Sequence, residues 1–107
     1  LELKTSNQLG LKIKNSNHSS NDNAFVLNSW QHVVVTYDAA TVRFFVNGVA
    51  VGAVAALETD ISNSAVDLTI GNNRNGANTF DGLIDDVRIY NRALSSDEIK
   101  RLYNMGR

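Results

Sequence analysis

"FDGLIDDVRIYNRALSSDEIKRLY" (Phe80–Tyr103) passes without a break from a residue period near two to one near three and a half. The first half reads as a strand and carries two adjacent aspartates, Asp85 and Asp86. The second half reads as a helix. Ser95 can cap it and Glu98, three residues on, can reach back to complete a capping box, worth about 1 kcal/mol. Leu94 before the cap and Ile99 after it fit a hydrophobic staple. Ile99, Leu102 and Tyr103 share one face, Lys100 and Arg101 face away, and Gly106 lies where a helix stop belongs. One amphipathic helix of about three turns is therefore expected to close the chain against a β body.

Outward from this stretch, the chain alternates strand and turn signals. "LELK" and "QLGLKIK" alternate apolar and polar residues and predict two short half-buried strands. "NSNHSSNDN" (15–23) is expected to be a polar loop. "AFVL" (24–27) predicts a short strand and "WQHVVVTYD" (30–38) a stronger one. "TVRFFVNGVAVGAV" contains Asn47-Gly48 between two β-rich runs. Both residues tolerate positive φ, so the pair predicts a two-residue type I′ hairpin turn. "ETDISNS" reads as a loop, "AVDLTIG" as a strand and "NNRNGANT" as an Asn/Gly loop. Strands recurring about every ten residues, with turn chemistry between them, indicate a sandwich or barrel. No internal repeat or domain boundary interrupts the run, so residues 1–107 are read as a single domain.

Composition narrows the function classes. The chain is 43% hydrophobic, enough to build a core, and its net charge is −1 with Lys and Arg dispersed. It offers no basic patch for nucleic acid and no apolar run long enough to span a bilayer. The absence of cysteine excludes disulfides, thiolate metal sites and a cysteine nucleophile. No signal peptide is present, and the chain opens on Leu1 in strand-like sequence.

"WQHVVVTYD", "VRFFVNGVAVG", "LTIGNN" and "FDGLIDDVRIYNRALSSDEIKRLY" together resemble the C-terminal half of a LamG-like jellyroll domain. This belongs to the concanavalin A-like lectin/glucanase superfold, related to laminin G domains and pentraxins. The resemblance covers Trp30–Tyr103 and implies an all-β fold: two curved antiparallel sheets packed face to face, with one C-terminal helix. It also implies a further N-terminal segment that supplies strands to both sheets, and only Leu1–Ser29 precede Trp30 here. Three outcomes follow. "LELKTSNQLGLKIK" fills the vacant positions in a compact variant, Leu83–Tyr90 pairs edge to edge in a homo-oligomer, or a missing N-terminal segment complements the domain.

The aspartates fit scaffold better than catalysis. A glycosidase pair needs two carboxyls about 5–10 Å apart across a cleft, and on one strand only alternate residues share a face. Asp85 and Asp86 are adjacent, and "LIDDVRIY" lacks the Glu-x-Asp-x-Glu strand of the superfold's glucanases. "ETD" (58–60) has the alternation but stands alone in a loop. One aspartate is expected to face inward onto backbone amides, the other to be solvated or to pair with Arg88 or Arg92. No serine lies in a nucleophile-elbow context.

Calcium is the metal to weigh. Asn72, Asn73, Asn75 and Asp81 could supply oxygens from the loop that holds calcium ligands in pentraxins. Arg74 interrupts that cluster, and its neutral oxygens would bind weakly. His18, expected in a loop, and His32, expected in a strand, have no partner at ligand spacing. Trp30 is expected in the core. Phe44 and Phe45 should face opposite ways, and Tyr37, Tyr90 and Tyr103 should lie at the core edge with wet hydroxyls. Arg74 and Asn78 are the expected ligand contacts, because arginine and amides suit hydroxyl and carboxylate groups.

The resemblance implies a non-catalytic extracellular binding or adhesion module of a larger secreted or surface protein, with a glycan as ligand first and a protein second. Its competitor is a fragment of a glycoside hydrolase or lyase of the same superfold whose catalytic residues lie outside this chain.

Overall fold

A computed structural model describes residues 1–59, 61, 68–72 and 79–106. Its strands are β1 (Glu2–Lys4), β2 (Gln8–Ile13), β3 (Ser16–Ser19), β4 (Val33–Tyr37), β5 (Thr41–Val46) and β6 (Val49–Ala55), and the helix α1 spans Ser96–Met105. They form two antiparallel three-stranded sheets, β1-β2-β3 and β4-β5-β6. The sandwich inferred from the sequence is therefore present.

The core lies between the sheets. Leu9 and Ile13 of β2 pack with Val42, Phe44 and Val46 of β5, and Phe25 joins them from the connecting segment. Val42, Phe44 and Val46 occupy alternate positions, as one strand face requires. Asn47 and Gly48 turn the β5–β6 hairpin with φ of 52° and 78°, the positive pair of a type I′ turn. Beyond the turn, Phe44 pairs with Gly52 while Phe45 pairs with Ala50, so Val51 is the extra residue of a bulge. The Val51 carbonyl then accepts the Asn21 N–H at 2.9 Å and joins the end of β3 to the other sheet. Gly52 sits at that crossing: a Cβ there would lie 3.0 Å from the Asn21 nitrogen and the Ser20 Cα.

A strap after β6 ties the sheets a second time. Ala56 N–H donates to Ala40 O, Leu57 N–H to His18 Nε2 at 3.2 Å, and the Tyr37 hydroxyl to Glu58 O at 2.6 Å. Ser16 Oγ donates to Glu58 Oε1 at 2.8 Å. These contacts explain why the polar stretch 15–23, expected as a loop, contains β3 instead. Ser16, His18 and Ser20 alternate inward, and the Ser16 hydroxyl, His18 Nε2 and the Ser20 hydroxyl find partners there, while His18 Nδ1 is buried without one. Ser20 Oγ accepts the Leu9 N–H and donates to Asn21 O. His18, expected in a loop, is buried in this strand.

Other expectations also change. "AFVL" forms no strand: Phe25 enters the core, whereas Val26 and Leu27 are exposed. Trp30 is 67% exposed rather than core. The Gln31 amide closes a loop by bonding both the Val26 N–H and the Val26 carbonyl, which leaves Trp30 outside, and β4 starts only at Val33. His32 therefore precedes the strand in which it was expected. Leu68–Gly71 is not a regular strand, although Gly71 N–H donates to Leu1 O and the Leu1 amino group to Thr69 O. Leu83–Tyr90 is irregular and exposed, because no strand lies beside it to complete a ladder among the described residues. Neither aspartate faces inward: Asp85 Oδ1 accepts the Asp86 N–H, and Asp86 pairs with Arg88. The Arg88 partnership is as expected.

On the outer face of the second sheet, α1 forms a smaller core. Both halves of its capping box are made. Ile99 is fully buried and Phe45 is 4% exposed, so both phenylalanines of β5 leave water on opposite faces. Leu102 and Tyr103 are half-buried, while Lys100 and Arg101 are exposed. The helix crosses the hairpin turn: a Cβ on Gly48 would lie 3.4 Å from the Tyr103 ring and 3.5 Å from the Lys100 Cα. Asn47 fastens this corner by accepting the His32 N–H and donating to His32 O. The His32 and Tyr103 rings lie 6.1 Å apart.

Ten residues are too few for α1 to hold alone, so its stability comes from this docking. Ile99→Ala should lower stability by about 2–4 kcal/mol in chemical denaturation, and an unchanged midpoint would show a detached helix. Gly52→Ala should cost about 1–3 kcal/mol, because only backbone can yield to the new methyl. Burial pushes the His32 imidazole below its ordinary value. A depressed folded value means that stability is full above about pH 6.5 and falls as pH drops below it. Melting temperatures measured from pH 8 to 5 should show this decline, and His32→Phe should flatten it.

Candidate functional site

A groove of about 360 Å³ runs between the outer face of β4–β5 and the start of α1. Thr36 of β4, Arg43 and Phe45 of β5, Asp38 from the turn between them, and Ala93–Ser96 with Glu98 from the helix side line it. Strand alternation explains the grouping: Thr36 and Asp38 are two apart, as are Arg43 and Phe45, and Thr36 pairs with Arg43 across the ladder.

The groove's two carboxylates are both held ionised. Asp38 Oδ1 accepts the Thr41 N–H at 2.7 Å and the Ala40 N–H at 3.0 Å, while Oδ2 accepts Arg43 Nη1 at 2.9 Å. The Thr41 amide first, then Arg43 and the Ala40 amide, pull the Asp38 carboxyl down to about 2. On the opposite wall, the Arg92 guanidinium grips both oxygens of Glu98, and the Ser95 N–H adds a third bond. Arg92 first and the Ser95 amide second bring Glu98 to about 2 as well. Neither group is a proton donor near neutrality. The chemistry on offer is hydrogen bonding from the fixed charges of Asp38, Arg43, Arg92 and Glu98.

The sequence did not single out this groove. Its members are dispersed from Thr36 to Glu98 and come together through sheet pairing and helix docking. The signals available were Asp38 ahead of a turn and Glu98 in a capping box, both of which read as local structure.

The expected ligand contacts Arg74 and Asn78, and the expected calcium ligands Asn73 and Asn75, lie outside the described residues. Asn72 is described, and its Oδ1 is buried without a hydrogen-bond partner. Its backbone carbonyl accepts the Thr69 hydroxyl at 3.1 Å. Asp81 is exposed and borders a different cavity, of about 230 Å³, with Leu3, Lys4, Asn7, Phe25 and Phe80. No three His, Asp or Glu side chains gather at metal-binding range among the described residues. The described part of the calcium set therefore amounts to one orphaned amide oxygen and one exposed carboxylate beside a lysine.

Comparison with known proteins places the whole arrangement. The laminin G model of the concanavalin A-like lectin/glucanases superfamily matches residues 1–100. Adhesion G-protein coupled receptor V1 of Danio rerio is 33% identical over 84 residues, which are 77% of this chain and 1% of the receptor. A crystal structure of residues 221–444 of an S-layer domain-containing protein from Clostridium thermocellum superposes with a TM-score of 0.56 at 29% identity. That likeness covers 82% of this chain and 45% of the solved one, so the chain spans less than half of the solved relative and a small fraction of the receptor. With two antiparallel sheets enclosing one core and a match running over residues 1–100, the chain belongs to the laminin G group of the concanavalin A-like lectin/glucanase superfamily.

Proposed function

We propose that the chain is a non-catalytic, carbohydrate-binding adhesion module of a secreted or cell-surface protein. The observation that supports it is the state of the groove's carboxylates. Hydrolysis of a glycosidic bond needs one carboxyl kept protonated near neutrality, which requires a raised pKa. Asp38 and Glu98 are driven the other way, each by an arginine and backbone amides. The exposed Asp38–Arg43 pair suits the hydroxyls of a sugar through charge-assisted hydrogen bonds. The extracellular setting draws on the relatives, one an adhesion receptor and one a protein with an S-layer domain.

The expected partner is a glycan, with a protein ligand second. Binding to a polysaccharide panel should weaken about tenfold or more on Arg43→Ala, the loss of a charge-assisted hydrogen bond. Arg74→Ala and Asn78→Ala test, in the same assay, the ligand contacts expected from the sequence. Retention of no glycan by the folded chain, or release of reducing sugar from one, would sink the reading. Calcium is proposed at the Asn72 loop on the strength of the orphaned Asn72 oxygen. Millimolar calcium should then raise the melting temperature, and Asn72→Ala should remove the rise.

A further inference from the structure

The groove between the β4–β5 face and the start of α1 repeats one arrangement on both walls. On the sheet wall, Asp38 Oδ1 accepts the Thr41 and Ala40 N–H groups, and Oδ2 accepts a single N–H from Arg43. On the helix wall, Glu98 Oε1 accepts one N–H from Arg92 and the N–H of Ser95, and Oε2 accepts a single N–H from Arg92. A carboxylate oxygen takes about two hydrogens, so Asp38 Oδ2 and Glu98 Oε2 each keep one open position. Among the described residues, Arg43 gives one N–H to Asp38 and leaves its other guanidinium hydrogens unused. The remaining lining residues carry no charge, so each carboxylate is cancelled by its arginine. Both carboxyls lie at about 2, and the cancellation therefore holds throughout the neutral range.

This arrangement distinguishes sugars by charge. A hydroxyl is donor and acceptor at once. It can give its hydrogen to the open position on Asp38 Oδ2 and accept an unused N–H of Arg43, with no existing bond broken. An ammonium only donates and a carboxylate or sulfate only accepts, so each uses half of the arrangement. Each also meets its own sign: an anion faces Asp38 and Glu98, an ammonium faces Arg43 and Arg92. A charged group brought against neutral pairs loses hydration and gains no net attraction. A hydroxyl has no charge to desolvate.

Taking the glycan-binding reading of the groove as its basis, we propose that the site is specific for uncharged sugars. A ring hydroxyl bridges Asp38 and Arg43, and the cancelled charges of the two walls turn away acidic and amino glycans alike. Selectivity of this kind rests on what the site rejects as much as on what it holds.

Retention of the folded chain on immobilised polysaccharides tests this. The panel is β-glucan and mannan, polygalacturonate and dextran sulfate, and chitosan at a pH that keeps its amines charged. At about 0.15 M salt, where exposed charges are screened beyond about 8 Å, a neutral polysaccharide should retain the chain and the three charged ones should not. Asp38→Asn keeps an amide oxygen for the Thr41 and Ala40 N–H groups but replaces the open acceptor with a donor and leaves the groove positive. It should weaken neutral binding about tenfold or more and create retention on polygalacturonate. Arg43→Gln leaves the groove negative; it should weaken neutral binding likewise and create retention on chitosan. Circular dichroism checks that both variants are folded, and the ranking by the unaltered chain decides the proposal should either lose its fold. A charged polysaccharide retained as well as the best neutral one would overturn the proposal and leave the glycan reading standing. So would folded variants that lose neutral binding without the predicted change of preference. Retention on no polysaccharide would remove the glycan reading itself, and the proposal with it.

Discussion

Phe44 and Phe45 are consecutive in β5, and neither is left in water. On a strand, neighbouring side chains point to opposite faces, so burying both requires cover on each side of the sheet. The first cover is the β1-β2-β3 sheet, which meets Val42, Phe44 and Val46. The second is the approach to α1, which meets Phe45 along the groove. β5 is also the middle strand of its own sheet, paired to β6 over Thr41–Val46 and to β4 over Val42–Val46. Strand, opposing sheet and helix thus all depend on one six-residue element.

That dependence separates what could be read in the residues from what could not. Asn47-Gly48 and Ser95…Glu98 announce a hairpin turn and a helix start, because their geometry is local and their side chains complete it within a few residues. β3 stayed hidden because hydropathy scores Ser16, His18 and Ser20 as solvent-facing. Their burial depends on Leu57, Glu58 and Leu9, which arrive from elsewhere in the chain. Trp30 and Leu83–Tyr90 misled in the opposite direction. Their side chains are apolar enough for a core, but the described residues leave them exposed. The groove was illegible for the same reason: it exists only after two strands and a helix have met.

The turns that bound β5 do more than reverse the chain. Asp38 at one end and Asn47 at the other each spend side-chain oxygens on backbone N–H groups, the local bonding for which these residue types are favoured in turns. In the first case the same carboxylate also orients Arg43, so the turn that shapes the hairpin fixes a charged group of the groove. Were the groove to bind a ligand as proposed, an arginine held this way would lose little side-chain freedom, which favours affinity without further contacts.

The two walls of the groove are not equivalent in this respect. On the helix side, Glu98 completes the capping box and holds Arg92, so a ligand that drew Glu98 away would break half of the capping box of α1. The cap cannot be disturbed without loosening the element that buries Ile99 and shelters Phe45. On the sheet side, Arg43 and Thr36 project from paired strands whose hydrogen bonds belong to the backbone ladder, and engaging them leaves that ladder intact. If the groove binds a ligand as proposed, the β4–β5 wall can engage it without disturbing the fold, while the helix wall bounds the groove.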